Sequence, residues 1–160
     1  MKKIIIASDR AGFDLKEALK AYLADIGYEV TDTGSQNTGE GGMPYWQAAK
    51  NLAPHVSNGE FERGILICGT GMGMTIAANK YPGVYAALCE HPYAAKNARA
   101  INNANVLTLG GWVTPPHTAQ DIVDAFLNTP FLEGVTDWQK ENLPIFLEEV
   151  KKIEEENFSV

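Results

Sequence analysis

Short apolar runs alternate along the chain with longer segments of helical periodicity, and this alternation constrains the fold more than any other feature. Residues 3–7 and 64–68 are almost wholly apolar, which is typical of strands buried on both faces. Residues 28–33, 84–89 and 106–109 repeat the strand signal. Because helical segments separate these strands, we expect them to run parallel, with helices on both faces of one sheet. The sequence therefore predicts a doubly wound, Rossmann-like α/β fold.

The predicted helices follow the strands in order. They cover residues 13–26, 44–56, 74–79, 92–102, 115–127 and the segment from 137 onward. The charged residues 148–156 at the end of the last segment are expected to form a solvated tail.

Composition narrows the class of protein further. A chain of 160 residues, 45% hydrophobic and 21% charged, is expected to form a single globular domain over residues 1–160. The net charge of −7 disfavours a nucleic-acid partner. The longest apolar runs fall well short of the roughly 20 residues that cross a bilayer, so no membrane span is expected. No secretory signal is recognisable at the start, which predicts a cytoplasmic protein with Cys68 and Cys89 as free thiols.

The strongest local motif is Cys-Gly-Thr-Gly-Met-Gly at residues 68–73. A thiol ends a buried strand there, and the alternate glycines let the backbone approach a ligand closely at a helix start. A thiolate in this position would be stabilised by free backbone N–H groups. A tight turn around a structural cysteine remains the alternative. The motif lacks the lysine of a mononucleotide P-loop and the spacing of a dinucleotide fingerprint, which disfavours a nucleotide-binding module.

Other candidates lie in the loops after the strands, where ligands bind in such sheets. Asp9 and Arg10 follow the first strand and place a carboxylate and a guanidinium together, although Asp9 could be only an acid at a helix N-terminus and Arg10 a surface charge. His91 is a better candidate for proton transfer than His55 or His117, which are expected at the surface. No cluster of residues has metal-ligand spacing, so neither a metal nor a cofactor is expected.

Several motifs together resemble the ribose-5-phosphate isomerase B and galactose-6-phosphate isomerase family. They are Ser8-Asp9-x-Ala11-Gly12, the stretch 64–74 around Cys68, Ile76-Ala77-Ala78-Asn79-Lys80, and Asn102-Asn103-Ala104-Asn105-Val106-Leu107. The resemblance covers residues 1 to 130 in order. It implies a metal-free aldose–ketose isomerase, usually a homodimer in which the partner subunit completes each active site.

The resemblance also implies roles for individual residues. Cys68 matches the base that moves a proton between C1 and C2 of the sugar, and Thr70 matches the hydroxyl that passes a proton between the sugar oxygens. Asp9 matches a carboxylate that contacts substrate hydroxyls. The remaining substrate-binding positions are the loop backbone and one amide: Gly69, Gly71, Met72, Gly73 and Asn102.

The chain departs from the family pattern around this core. Arg10 stands where the family has histidine, Ile101 replaces the ring-opening histidine, and Trp112 replaces an arginine. Gly42-Met43-Pro44 replaces Asp-Tyr-Pro, and the phosphate-gripping arginines have no match in residues 133–140.

These departures predict an altered substrate. It is expected to be an unphosphorylated sugar, a sugar acid or a short sugar that forms no stable ring. Arg10 is then the main anion contact, helped by His91 or Lys140. The alternative is a non-catalytic partner subunit of a two-component galactose-6-phosphate isomerase, against which the retained Cys68 argues. Three aromatic residues are expected at the surface and would favour a dimer: Trp112, Phe131 and Trp138.

Overall fold

The structure is a computed structural model and describes residues 2–158. Strands and helices alternate through this part of the chain. In order they are β1 (Lys2–Ser8), α1 (Phe13–Asp25), β2 (Tyr28–Asp32), α2 (Tyr45–Ser57), β3 (Gly64–Cys68), α3 (Met72–Ala78), β4 (Ala86–Leu88), α4 (Pro92–Ala100), β5 (Val106–Gly110), α5 (Pro116–Asn128) and α6 (Asp137–Phe158).

The strands form one parallel sheet in the order β2-β1-β3-β5-β4. Gly64 pairs with Ile5 on one side and with Val106 on the other, so β3 lies at the centre. Helices cover both faces, and the predicted doubly wound fold is confirmed. Because the strands are parallel, the loops that follow β1, β3 and β5 leave the sheet at the same edge.

The core forms two layers because neighbouring side chains of a buried strand point to opposite faces. Ile65 and Ile67 pack with α1, α4 and α5, whereas Leu66 and Cys68 pack with α2 and α3. Cys68 therefore ends its strand on the side of the sheet that α2 and α3 cover.

A buried lysine anchors the loop that follows β2. Lys16 is 0% exposed, and its Nζ donates to Asp32 Oδ2 at 2.5 Å and to the Ser35 carbonyl at 2.7 Å. Burial alone would raise the pKa of Asp32, but the hydrogen bonds from Lys16, Lys20 and the Gly34 N–H outweigh it and hold the pKa below its usual value. The pattern of apolar residues along α1 gave no sign of this ion pair.

Two local predictions are wrong. The edge strand β4 covers Ala86–Leu88 and not residues 84–89, because the Tyr85 N–H bonds to the side chain of Asn105. By contrast, the charged residues 148–156 are mostly exposed, as expected, and continue α6, and Glu154 among them accepts a hydrogen bond from the Gly83 N–H at 2.8 Å. Phe131 is half-buried, whereas Trp112 and Trp138 are exposed as expected.

Among residues 2–158, no helix is long and apolar enough to cross a membrane.

Candidate active site

The glycine loop, residues 69–73, joins the end of β3 to the start of α3. Gly71 has a φ of +79°, which glycine adopts without strain. A Cβ at this position would also lie 2.5 Å from Leu88 Cδ1. Only glycine meets both conditions. The loop therefore packs tightly against the ends of β4 and β5.

The sulfur of Cys68 lies under this loop. Cys68 is 5% exposed, and its Sγ accepts a hydrogen bond from the Gly71 N–H at 3.1 Å. The N–H groups of Thr70 and Gly73 have no acceptor among residues 2–158. The site therefore combines a sulfur that can take up a proton with backbone donors that can bind an oxyanion.

The loops after β1 and β5 meet the end of β3 through backbone contacts. The Asp9 N–H donates to the Ile67 carbonyl at 3.1 Å, and the Gly111 N–H donates to the Cys68 carbonyl at 2.7 Å. A Cβ on Gly12 would lie 2.5 Å from the same Ile67 carbonyl oxygen. The three loops thus form one packed rim around the sulfur.

Asp9 is the carboxylate of this rim. Its Oδ1 accepts hydrogen bonds from the N–H groups of Ala11 and Gly12, both at 2.9 Å. Asp9 is only 9% exposed, and this burial raises its pKa above the usual value despite those bonds. The structure therefore places Asp9 next to β3, at the rim of the candidate site. One of its carboxylate oxygens is used to hold its own loop.

Arg10 lies at the outer side of the rim. Its N–H donates to the Met43 carbonyl at 3.2 Å, and its Cβ lies 2.8 Å from where a Cβ on Gly42 would be. The side chain is exposed, and within the described chain its guanidinium makes no ion pair with a carboxylate. It is therefore free to bind an anion that comes to the rim.

Two aromatic rings pack on the ends of the glycine loop. A Cβ on Gly69 would lie 2.7 Å from Cε3 and Cζ3 of Trp112, and a Cβ on Gly73 would lie 2.9 Å from Cε2 of Tyr45. The Trp112 N–H also donates to the Gly69 carbonyl at 2.9 Å. From the sequence, Trp112 was expected at the surface, in place of a family arginine, and Tyr45 had no predicted role. In the sequence, only the glycine at position 73 indicates that a neighbouring side chain packs closely on this end of the loop.

The two remaining candidates, His91 and Asn102, lie at opposite ends of α4. His91 precedes this helix at the carboxyl end of β4, and its Nδ1 accepts a hydrogen bond from the Tyr93 N–H at 3.1 Å. Asn102 follows the helix and lines a groove with Ile101, Tyr85 and the side chains of α6. A single chain therefore does not bring Asn102 to the glycine loop.

The combination of groups at this edge suits proton transfer on a hydroxylated substrate. A sulfur, a threonine hydroxyl and a buried carboxylate surround backbone N–H groups that can stabilise negative charge on oxygen.

Comparison with known proteins agrees with this chemistry. A model of the Ribose/Galactose Isomerase family matches residues 4–142. The chain is 50% identical over 96% of its length to the 4-deoxy-4-sulfo-D-erythrose isomerase of Clostridium sp. (strain MSTE9), of which it covers 96%. It is 43% identical to the D-erythrulose-4-phosphate isomerase of Pectobacterium atrosepticum over 84% of this chain and 88% of that protein.

A solved structure, the ribose-5-phosphate isomerase B of Clostridium thermocellum, superposes with a TM-score of 0.87. The two chains are 38% identical, and the match covers 96% of this chain and 98% of the other. This chain therefore belongs to the ribose/galactose isomerase family and is an aldose–ketose sugar isomerase.

Proposed function

We propose that the protein interconverts 4-deoxy-4-sulfo-D-erythrose and the corresponding ketose. The observation that carries this proposal is the 50% identity, over 96% of both chains, to a relative named for that substrate. A second relative, at 43% identity, is named for a four-carbon sugar phosphate. Both names point to an acyclic four-carbon chain with an anionic group at C4.

Ile101 supports a substrate that forms no ring. In a tetrose, a furanose ring closes through the oxygen on C4, and that oxygen is absent when a sulfonate is attached directly to C4. Closure through the oxygen on C3 would give a strained four-membered ring. The sugar therefore stays open, and the enzyme needs no acid–base residue to open it. The apolar side chain of Ile101, where the family histidine is expected, is consistent with this substrate.

Arg10 supports a singly charged anion. The sulfonate carries one negative charge, whereas a phosphate monoester carries close to two at neutral pH. Arg10 stands alone at the rim, next to Gly42 and Met43, and its fork of N–H donors suits the oxygens of a sulfonate. This favours the sulfonate over the four-carbon phosphate, which is the second candidate.

The proposed reaction moves one proton between carbons and one between oxygens. The Cys68 thiolate removes the proton from C2 of the open aldose, and the electrons of that C–H bond form the enediolate with negative charge on O1. The free N–H groups of the glycine loop stabilise this charge. Thr70 relays the O2 proton to O1, and Cys68 returns its proton to C1. The product is the ketose, and no atoms are gained or lost.

We also propose that the enzyme is a homodimer. In the chain alone, several apolar side chains of α6 are exposed: Trp138, Ile145, Phe146, Val150 and Ile153. Such a surface favours contact with a second copy. A second copy could also bring its Asn102 to the glycine loop, which a single chain does not. Light scattering should give twice the mass of the chain, and a fully active monomer would contradict the shared site.

The substrate is tested with a panel of sugars. Purified enzyme is incubated in D₂O with 4-deoxy-4-sulfo-D-erythrose, D-erythrulose 4-phosphate or D-ribose 5-phosphate, and NMR follows isomer formation and deuterium at C1. We expect the highest kcat/KM for the sulfonate. A higher value for erythrulose 4-phosphate would favour the second candidate, and a higher value for ribose 5-phosphate would contradict both. Inactivity on all three with an intact fold would favour a non-catalytic partner subunit.

A further inference from the structure

We propose that Trp112 and Tyr45 form an aromatic pair that selects the substrate by the length and shape of its carbon chain. The proposal rests on the function proposed above and assigns a recognition role to two residues at the same site. The rings lie at the two ends of the glycine loop, one against Gly69 and the other against Gly73.

The contacts show why these rings belong to the site and not to the core. Trp112 is 76% exposed and Tyr45 is 44% exposed, so each ring packs on a glycine and keeps a substantial part of its surface open. Aromatic rings of this size are normally buried to a large extent. Here both are held beside the backbone donors by contacts that any Cβ on Gly69 or Gly73 would disturb.

The chemistry of the two rings fits the carbon skeleton better than the anion. An indole carries no charge, and its faces favour contact with C–H groups over contact with hydrated oxygens. The anion is left to Arg10, on the side of the rim formed by Gly42 and Met43. The rings would therefore contact the C–H edges of an extended tetrose whose C1 and C2 lie over Cys68.

A longer or cyclic sugar would have to displace one ring. Pockets that reject an extra methylene discriminate by roughly 10–200-fold. We therefore expect the wild-type enzyme to prefer the sulfonated tetrose over ribose 5-phosphate by a factor in this range. Trp112 and Tyr45 should contribute a factor of at least about ten to this ratio of kcat/KM values.

The test measures the ratio of kcat/KM for the sulfonated tetrose to that for ribose 5-phosphate. In Trp112→Ala and Tyr45→Ala the ratio should fall about tenfold or more, whereas Trp112→Phe and Tyr45→Phe, which keep a ring, should retain most of it. The matched control is Trp46→Ala, because Trp46 is another exposed aromatic residue of α2, at 53%, and is not among the nearest neighbours of the loop glycines. A ratio that stays unchanged in both alanine variants, or that falls equally in Trp46→Ala, overturns the proposal.

A binding measurement separates this proposal from the proposed function. In a Cys68→Ser background, in which turnover should be slowed about 10²–10⁴-fold, the sulfonated tetrose should change the tryptophan fluorescence. Trp112→Phe should abolish this change and Trp46→Phe should not. If the wild-type enzyme prefers ribose 5-phosphate, the proposed function fails and selection for four carbons fails with it. If it prefers the tetrose but Trp112→Phe keeps the fluorescence change, only the aromatic pair is wrong.

Discussion

Replacing Cys68 by serine removes the proposed base and leaves its surroundings almost intact. The Gly71 N–H, 3.1 Å from the sulfur, can donate to a serine hydroxyl as well. That hydroxyl, however, is far too weakly acidic to be ionised at neutral pH and to carry a proton between carbons. A positioned general base contributes about 10²–10⁴-fold, so kcat/KM on the sulfonated tetrose should fall by that factor. The exchange of solvent deuterium into C1 should fall in parallel.

Stability should change little in this variant. One sulfur is exchanged for one oxygen in a side chain that is 5% exposed, and the hydrogen bond from Gly71 can be kept. We expect a free energy of unfolding within about 1 kcal/mol of the parent, which is roughly 2–4 °C in the melting temperature of a chain of this size.

Cys89 supplies the matched control. It is 1% exposed, burial raises its pKa to about 11, and its thiol therefore stays protonated at neutral pH. Cys89→Ser should keep kcat/KM within about twofold, since it removes no group from the rim. The assignment of Cys68 is refuted if Cys68→Ser retains more than about a tenth of the parent activity. Such a loss would be smaller than a general base usually contributes. It is also refuted if both serine variants lose the same amount.

Three further predictions follow from charged residues. Arg10→Ala should lower kcat/KM by the equivalent of about 1.5–3 kcal/mol on the sulfonated tetrose but not on neutral 4-deoxy-D-erythrose, which also forms no ring; equal losses on both would make Arg10 a structural residue. Lys16→Met should lower the free energy of unfolding by about 1–3 kcal/mol, because it leaves the buried Ser35 carbonyl without its donor while Asp32 keeps Lys20; a loss under about 1 kcal/mol in urea titrations, the usual value of a surface pair, would contradict this. Because the pKa of Asp32 is lowered in the folded state, its contribution to stability is present above its unfolded pKa of about 3.9 and is lost as the pH falls below it. Asp32→Asn should thus be less stable than the parent at pH 6 and lose less on acidification, and parallel pH profiles would refute the assignment.

The sheet could be predicted from the sequence because burial on both faces leaves a simple pattern. The bounds of β3 were predicted to the residue, since every position of Gly64–Cys68 is buried. The bounds of the edge strand β4 were predicted less well, because its residues are only partly buried and the Asn105 side chain bonds to the backbone just before its start. The register and the strand order depend on contacts between distant residues and needed the structure.

The candidate site could be proposed from the sequence where chemistry depends on residue type, and not where it depends on packing. Cys68, the glycine loop and Asp9 stand out because few other residues suit those positions. Tyr45 did not stand out, because a tyrosine at the start of a helix can have many structural roles. Only its contact with Gly73, which needs the structure, places it at the site. Lys16 was missed for a related reason: its partners Asp32 and Ser35 lie at the end of the next strand and in the loop after it.

The meeting of three loops through their backbones has a consequence for how such an enzyme can change its substrate. Hydrogen bonds between main-chain atoms hold the ends of β1, β3 and β5 together, and they do not depend on the identity of neighbouring side chains. In the mechanism proposed above, the reaction is carried largely by the peptide backbone and one sulfur, whereas recognition is left to side chains such as Arg10 and Trp112. Single substitutions at the rim can then alter which sugar is accepted without dismantling the proton transfer. Such a division of labour lets one scaffold acquire new substrates in small steps.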